Sequence, residues 1–161
     1  MQNTFNTYIR HAVLAALILV LEAWMGIGVI GLSVGIVGTL FAILRAIARK
    51  ESRSYQLRVA AVYAALFLGT VGIIQSNWWL AERRAGTVIA AINRFHTDQG
   101  RYPDSLAELV PAYLSSTPRA GYTKMGSNFY YASSGPQLYF AVMFHGISGY
   151  DFRSHSWTTN E

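Results

Sequence analysis

The residues of this chain that could carry acid–base or metal chemistry are few and lie far apart. Glu22 is the only carboxylate between residues 12 and 44, and an ionisable group inside a long apolar stretch is a functional candidate because its charge is costly to bury. No cysteine is present, which excludes disulfides, thiolate zinc sites and a cysteine nucleophile. Of the four histidines, His11, His96, His145 and His155, only His96 has a carboxylate close by, Asp98, and residues two apart face different sides of a helix. The sequence therefore predicts no metal site and no cofactor.

Glu22 has three open interpretations. It is an acid at the membrane interface near Trp24, or it forms a buried salt bridge with a partner, or it serves a small membrane enzyme or carrier together with His11. His11 and Glu22 are eleven positions apart, about three helical turns, so the two share a helix face but lie near opposite ends of the predicted helix. A single site cannot hold both, and the same helices carry no further acids that would make a proton path.

The elements around Glu22 are long and apolar. The chain has 161 residues, 52% apolar and 13% charged, against about 25% charged in an ordinary soluble domain. Residues 12–44 carry one charge and residues 59–81 carry none, while a bilayer core of about 30 Å needs roughly 20 helical residues. A turn at Gly26-Ile27-Gly28 divides the first stretch, since glycine tolerates the backbone angles of a tight connection. The sequence thus predicts three membrane helices within residues 1–81, at about 8–25, 28–48 and 59–80.

The N-terminal stretch has two alternative interpretations. A cleaved signal peptide needs small residues after its apolar core, and Glu22, Trp24 and Met25 stand at that place. A single long tilted helix over residues 12–44 stays open, and it would change the topology of everything that follows.

Basic residues are concentrated in one short segment. Five of them, Arg45, Arg49, Lys50, Arg53 and Arg58, surround the predicted loop between the second and third helices with one acid, Glu51, for a local charge of +4. Short loops rich in lysine and arginine stay in the cytoplasm, so we expect a cytoplasmic N-terminus and a C-terminal part that faces outward. Because the remainder of the chain is nearly neutral, the basic balance does not indicate a nucleic-acid partner.

Small residues form a stripe on each of two predicted helices. Residues at this spacing share one helix face, and small side chains there let helices approach closely in lipid. Packing among the three helices of this chain and docking of a partner's helix both remain open as explanations. The stripes are Gly28, Gly31, Gly35 and Gly38 on the second helix, and Ala61, Ala65, Gly69 and Gly72 on the third.

The last part, residues 82–161, has the pattern of a small folded domain. Apolar residues between Ala85 and Phe95 recur at helical spacing with no break after the third span, which predicts one helix that leaves the membrane and ends at Gly100. A short helix capped by Asp104 or Ser105 follows and stops at Pro111. Three antiparallel strands are predicted after Tyr122, at residues 128–133, 137–145 and 150–157. The expected fold is an α+β domain in which the amphipathic helix covers a three-stranded sheet.

This C-terminal half resembles the globular domain of type II secretion pseudopilins and type IV pilins. The resemblance rests on an amphipathic helix followed by D-x-G-x-Y-P and L-x-x-L-V-P, with the residues Asp98, Gly100, Tyr102, Pro103, Leu106, Leu109, Val110 and Pro111. It implies a pilin-like fold, an interaction role and a bacterial inner-membrane location. Two extra spans precede the third helix, and that helix has no prepilin cleavage motif ahead of it, so the resemblance does not extend to fibre formation. Calcium, a feature of that family, is not expected, because only Asp151 and Glu161 are acidic after Tyr122.

These patterns predict a non-enzymatic protein of the bacterial inner membrane. Its partners would be the lipid bilayer and other membrane or periplasmic protein subunits, to which it is an accessory or scaffold in a secretion, pilus or other membrane complex. The C-terminal domain would be periplasmic or extracellular. A small membrane enzyme or carrier is the first alternative. A periplasmic sensor is the second, although no cytoplasmic domain is evident that would receive its signal.

Overall fold

The computed structural model describes residues 2–49, 52–125, 128–142 and 144–160. The chain forms two compact units, Met1–Ile74 and Gln75–Glu161. The helix Arg53–Gln99 contributes residues to both of them. Lys50 and Glu51 of the basic loop, and Met143 of the predicted second strand, lie outside the described residues.

Unit 1 consists of helices. α1 spans Gln2–Met25, α2 spans Val29–Ala48, and α3 spans Arg53–Gln99 and continues into unit 2. The described residues thus contain three helices long and apolar enough to cross a bilayer, which confirms the predicted number. The first apolar stretch is two helices, and the two glycines of Gly26-Ile27-Gly28 have φ angles of 77° and 72°. Positive φ is costly for residues with a side chain, so glycine suits this turn.

α3 is longer than the predicted third span. It begins at Arg53 and runs without interruption to Gln99, where Gly100 follows with a φ angle of 68°. The predicted domain boundary after residue 81 therefore falls inside a continuous helix. A glycine in the left-handed region directly after the last turn is a common way to end a helix.

Unit 2 contains a four-stranded antiparallel sheet, so the prediction of three strands was wrong. The strands are β1 Phe129–Ala132, β2 Gln137–Val142, β3 Gly146–Asp151 and β4 Ser156–Asn160, in the order β1-β2-β3-β4. Gly146-Ile147-Ser148-Gly149 was expected to be a turn but forms the start of β3. The predicted third strand, 150–157, covers the end of β3, the turn at 152–155 and the start of β4.

One face of this sheet and one face of α3 make the core of unit 2. Along β2 the buried residues alternate with partly exposed ones, as expected for a strand with one face on a core. The predicted side-chain cap of the short helix is absent: Leu106–Leu109 is a 3₁₀ helix whose N-cap residue Ser105 makes no capping hydrogen bond. The buried apolar core comprises Ala81, Ala85, Val88, Ala91, Ile92 and Phe95 of α3, Leu106 and Leu109, Ala120, and Phe129, Leu138, Phe140, Val142 and Phe152 of the sheet region.

Candidate functional site

Glu22, the acid inside the first apolar stretch, is buried and holds the start of α2. Its side chain is 2% exposed. The carboxylate accepts hydrogen bonds from the backbone N–H of Gly28 and, at 2.8 Å, from that of Gly31. The first N–H groups of a helix have no partner within the helix, and negative charge is stabilised at that end. One carboxylate at the end of α1 therefore caps α2, its neighbour in sequence.

This arrangement was not among the sequence interpretations of Glu22. The carboxylate is buried, but backbone amides of the same chain, rather than a cation, are its partners. Both oxygens are engaged, one on the N-cap residue Gly28 and the other on the third residue of the helix, Gly31. The spacing Glu-x5-Gly-x2-Gly was the signal in the sequence that could have identified it.

The glycine stripe of α2 lies against large side chains of α3. A Cβ placed on Gly31 would lie 2.2 Å from Oγ1 of Thr70, and one on Gly35 would lie 2.9 Å from the backbone nitrogen of Phe67. Gly38 faces the ring of Tyr63, and a Cβ placed on Gly38 would lie 2.6 Å from the nearest atom of that ring. Such distances leave no room for a side chain, so these three glycines permit close contact between α2 and α3 inside unit 1.

The predicted small-residue stripe of α3 does not lie against the glycine stripe of α2. Ala61 and Ala65 are exposed, and nothing described lies within 4 Å of a Cβ placed on Gly72. Gly69 faces Leu19 of α1, where a Cβ would lie 2.9 Å from a methyl group. The two predicted stripes thus do different things: that of α2 is used within the chain, whereas much of that of α3 is exposed.

His11 has a partner that the sequence analysis did not identify. Its Nδ1 lies 2.8 Å from the hydroxyl of Tyr63, and the two rings meet edge to face. Tyr63 is also the residue that covers Gly38. The contact joins α1 to α3 eleven residues, about three helical turns, before Glu22, so the structure does not bring His11 and Glu22 together into one site.

The motif residues of unit 2 build the turn that follows α3. The hydroxyl of Tyr113 donates to Asp98 at 3.1 Å, and that of Tyr102 donates to the carbonyl of Phe152 at 3.3 Å. Pro103, Leu106 and Leu109 are buried, while Val110 and Pro111 are joined by a cis peptide bond. These contacts fasten the segment after the helix to the core, and a structural role accounts for all of them.

Acidic and basic groups in the same turn pair with one another. Arg101 lies 3.2 Å from the carboxylate of Glu108, which also accepts the backbone N–H of Asp104 at 3.2 Å.

The nearby hydroxyl of Tyr131 is buried with no hydrogen-bond partner among the described residues. Burial, together with Tyr102 and the two carboxylates, raises the pKa of Tyr131 to about 12, so this phenol stays protonated at neutral pH.

Two of the three histidines of unit 2 stack on aromatic rings. His96 stacks on Tyr102 with ring centroids 4.0 Å apart, and His145 stacks on Trp78 at 4.6 Å. His155 lies in the turn between β3 and β4 with a φ angle of 52°. Within residues 2–49, 52–125, 128–142 and 144–160, no group of three histidines, aspartates or glutamates is placed to hold a metal ion.

The sheet face opposite the core carries exposed apolar side chains. We call Tyr130, Tyr139 and Ile147 the outer sheet face. Tyr130 is 63% exposed and is paired with Tyr139, whose own ring lies over Gly149 on the next strand. Aromatic residues, tyrosine among them, are enriched in protein interfaces. Sequence reasoning missed this surface because the strand register that creates it was not known.

The chain matches no protein-family model, no curated protein and no solved structure.

Proposed function

We propose that this protein is an anchored interaction module of the bacterial inner membrane, a non-enzymatic accessory or scaffold subunit. Its three apolar helices cross the bilayer with the N-terminus and the basic loop in the cytoplasm. Its C-terminal unit is displayed on the periplasmic side and binds other protein subunits of a membrane complex, for which secretion and pilus machinery are candidates through the pilin-like resemblance.

The continuity of α3 is the observation that carries this proposal. Its N-terminal part includes 23 consecutive residues without charge, 59–81, which is enough to cross a bilayer core of about 30 Å. Its C-terminal part supplies Val88, Ile92 and Phe95 to the core of unit 2. One helix thus serves both as an anchor and as a core element of a folded domain, as expected for a module that must work beside a membrane.

Two exposed surfaces support a binding role. The outer sheet face offers aromatic and aliphatic side chains away from the core. The stripe Ala61, Ala65 and Gly72 offers a helix face on which another membrane helix could approach closely. Interaction surfaces on the exported unit and on the anchor fit a subunit that joins a larger complex.

The alternatives gain no support from the site geometry. An enzyme or carrier based on Glu22 requires a carboxylate available to a substrate, whereas both oxygens of Glu22 accept backbone hydrogen bonds. For a sensor, the segment between α2 and α3 is a short connection, from Arg49 to Ser52, which leaves little room for a receiving domain.

Site-specific photocrosslinking in native membranes tests the proposed role. A photoreactive amino acid replaces Tyr130 on the outer sheet face or Ala65 on α3, and Ser154 in the β3–β4 turn serves as the exposed control. We expect discrete protein adducts at Tyr130 or Ala65 and none at Ser154. If the protein is present in the membrane fraction but neither position gives a protein adduct, the proposed interaction role is wrong.

A further inference from the structure

Two loops of unit 2 are held on adjacent residues at the start of its helical segment. The side chain of Asn77 is buried, donates to Oγ1 of Thr123 at 3.1 Å and accepts the backbone N–H of Tyr122 at 2.9 Å. The neighbouring Trp78 stacks on His145, in the turn between β2 and β3. The segment 120–125 and the β2–β3 turn are therefore fixed at the same height along α3.

That height corresponds to the outer end of the proposed third span. Charge is absent from residues 59–81 and reappears at Glu82, Arg83 and Arg84. A bilayer core of about 30 Å is crossed by roughly 20 helical residues, so a core that begins at Val59, the first residue of the charge-free segment, ends near Trp78. Loops attached to Asn77 and Trp78 are thus placed at the boundary between the bilayer core and the lipid headgroups.

Both loops present large apolar side chains at this height. Phe144 lies in the β2–β3 turn and is 58% exposed, although its φ angle of 68° is a conformation that bulky residues rarely adopt. Tyr122 and Met125 are exposed on the segment 120–125. Tyrosine is enriched at membrane interfaces, and insertion of Phe144 and Met125 there would remove their exposed apolar surface from water.

Two arginines lie at the outer end of the proposed span, Arg83 and Arg84. The guanidinium of Arg83 lies 3.7 Å from the ring centroid of Trp79, a cation–π contact. Arg84 donates to the carbonyl oxygens of Arg119 and Gly121 at 2.9 and 3.1 Å, so it also holds the segment 120–125 in place. Aromatic side chains next to arginine at the end of a span match the mixed apolar and anionic chemistry of a phospholipid surface.

We propose that Tyr122, Met125 and Phe144, which we call the lipid rim, insert into the interface of the outer leaflet. The rim would bind a phospholipid surface and hold the exported unit against it, so that the unit is positioned by its loops as well as by α3. This inference rests on the proposed membrane insertion of α3 and adds a lipid-binding surface to a domain proposed above to bind proteins.

Depth-dependent fluorescence quenching of the full-length protein tests the rim. Because the chain has no cysteine, Phe144→Cys and Tyr130→Cys can each carry one environment-sensitive fluorophore in vesicles of phosphatidylethanolamine and phosphatidylglycerol. The two positions are matched, since both are exposed aromatic residues of unit 2 at 58% and 63%. Ala65→Cys, in the middle of the proposed span, reports insertion itself. Met125→Cys is a second rim position in case the first variant does not fold.

We expect a label at Phe144 or Met125 to be quenched at least twofold more than one at Tyr130 by lipids with a spin label near the headgroup. If the label at Ala65 is quenched by deep spin labels while the rim positions behave like Tyr130, the proposed lipid contact of the rim is wrong. The proposed membrane insertion of α3 is then supported. If the label at Ala65 is not quenched either, the anchor itself is wrong. A label at a rim position that is exposed to water in vesicles but shielded from water in native membranes would indicate a protein partner. That result would also overturn the proposal.

Discussion

Removing the acceptor groups of Glu22 should destabilise the packing of α1 on α2. Glu22→Ala leaves the backbone N–H groups of Gly28 and Gly31 buried without the partners they have now. Each buried unsatisfied group costs about 1–3 kcal/mol, so we expect a loss of about 2–6 kcal/mol in the free energy of unfolding. Glu22→Gln keeps one acceptor oxygen and turns an amide NH₂ toward the other N–H, and the loss of one charge-assisted bond should cost about 1.5–3 kcal/mol.

Unfolding in mixed micelles measures this effect. The purified full-length protein in a mild detergent is titrated with sodium dodecyl sulfate, and the free energy of unfolding is extrapolated for wild type, Glu22→Gln and Glu22→Ala. Glu82→Gln is the matched control, because Glu82 is also a helical glutamate but is exposed. Surface substitutions of that kind usually change stability by less than about 0.5 kcal/mol.

The order of the variants matters as much as the size of the change. Loss of one acceptor should cost less than loss of both, so the expected stability falls from wild type through Glu22→Gln to Glu22→Ala. If both variants unfold like the Glu82→Gln control, the carboxylate does not cap α2 in the folded protein. If the alanine variant is more stable than the glutamine variant, burial of the polar group outweighs the hydrogen bonds and the reasoning is wrong.

Three further predictions concern other parts of the structure and are tested by thermal unfolding in detergent. Gly35→Ala should destabilise the protein because its Cβ would lie 2.9 Å from the backbone of the facing helix, whereas Gly72→Ala, with open space around it, should be nearly neutral; equal effects would refute the close packing. Asn77→Leu removes two hydrogen bonds to the segment 120–125 and should cost about 1–3 kcal/mol or more, and an unchanged melting temperature would contradict this. The Asp151 carboxylate accepts the Gln137 side-chain amide and two backbone N–H groups, which lower its pKa. Its stabilisation is therefore full above its unfolded pKa of about 3.9 and is lost as pH falls through the lower folded value. Asp151→Asn should have a lower melting temperature than wild type at pH 7, and this difference should narrow toward pH 2. A difference in melting temperature that does not depend on pH would show that the protonation of Asp151 is not coupled to folding.

The helices could be predicted because composition and glycine placement act locally. A charge-free segment of bilayer length and two glycines at a turn carry the information in consecutive residues, and α1 and α2 separate at Gly26-Ile27-Gly28 as expected. The continuity of α3 followed from the absence of any helix-ending signal before Gly100. None of these features requires knowledge of which distant residues meet.

The sheet was predicted less well because its turn signals mislead. Gly146 and Gly149 are typical turn residues, yet both lie in β3, where Gly149 makes room for the ring of Tyr139. The real turn, residues 152–155, has no glycine or proline. The side chain of Asp151 stabilises it by accepting two backbone N–H groups.

The roles of Glu22 and of the glycine stripes depend on contacts between helices. The sequence placed Glu22 near the end of α1, but only the path of the turn brings its carboxylate to the N–H of Gly31. The stripes of α2 and α3 looked equivalent in sequence. Which of them is buried depends on helix rotation, and the rotation places Phe67 and Tyr63 of α3, rather than its predicted small-residue stripe, opposite the glycines of α2.

The proposed membrane topology, with the basic loop in the cytoplasm and the C-terminal unit on the periplasmic side, can be tested by the accessibility of single cysteines. Ser52→Cys lies between α2 and α3, and Ser154→Cys lies in the turn between β3 and β4, in a chain with no other cysteine. With this topology, a membrane-impermeant maleimide should label position 154 in intact spheroplasts and should label position 52 only after the membrane is opened. Labelling of position 52 in intact spheroplasts, with position 154 protected until lysis, would contradict it.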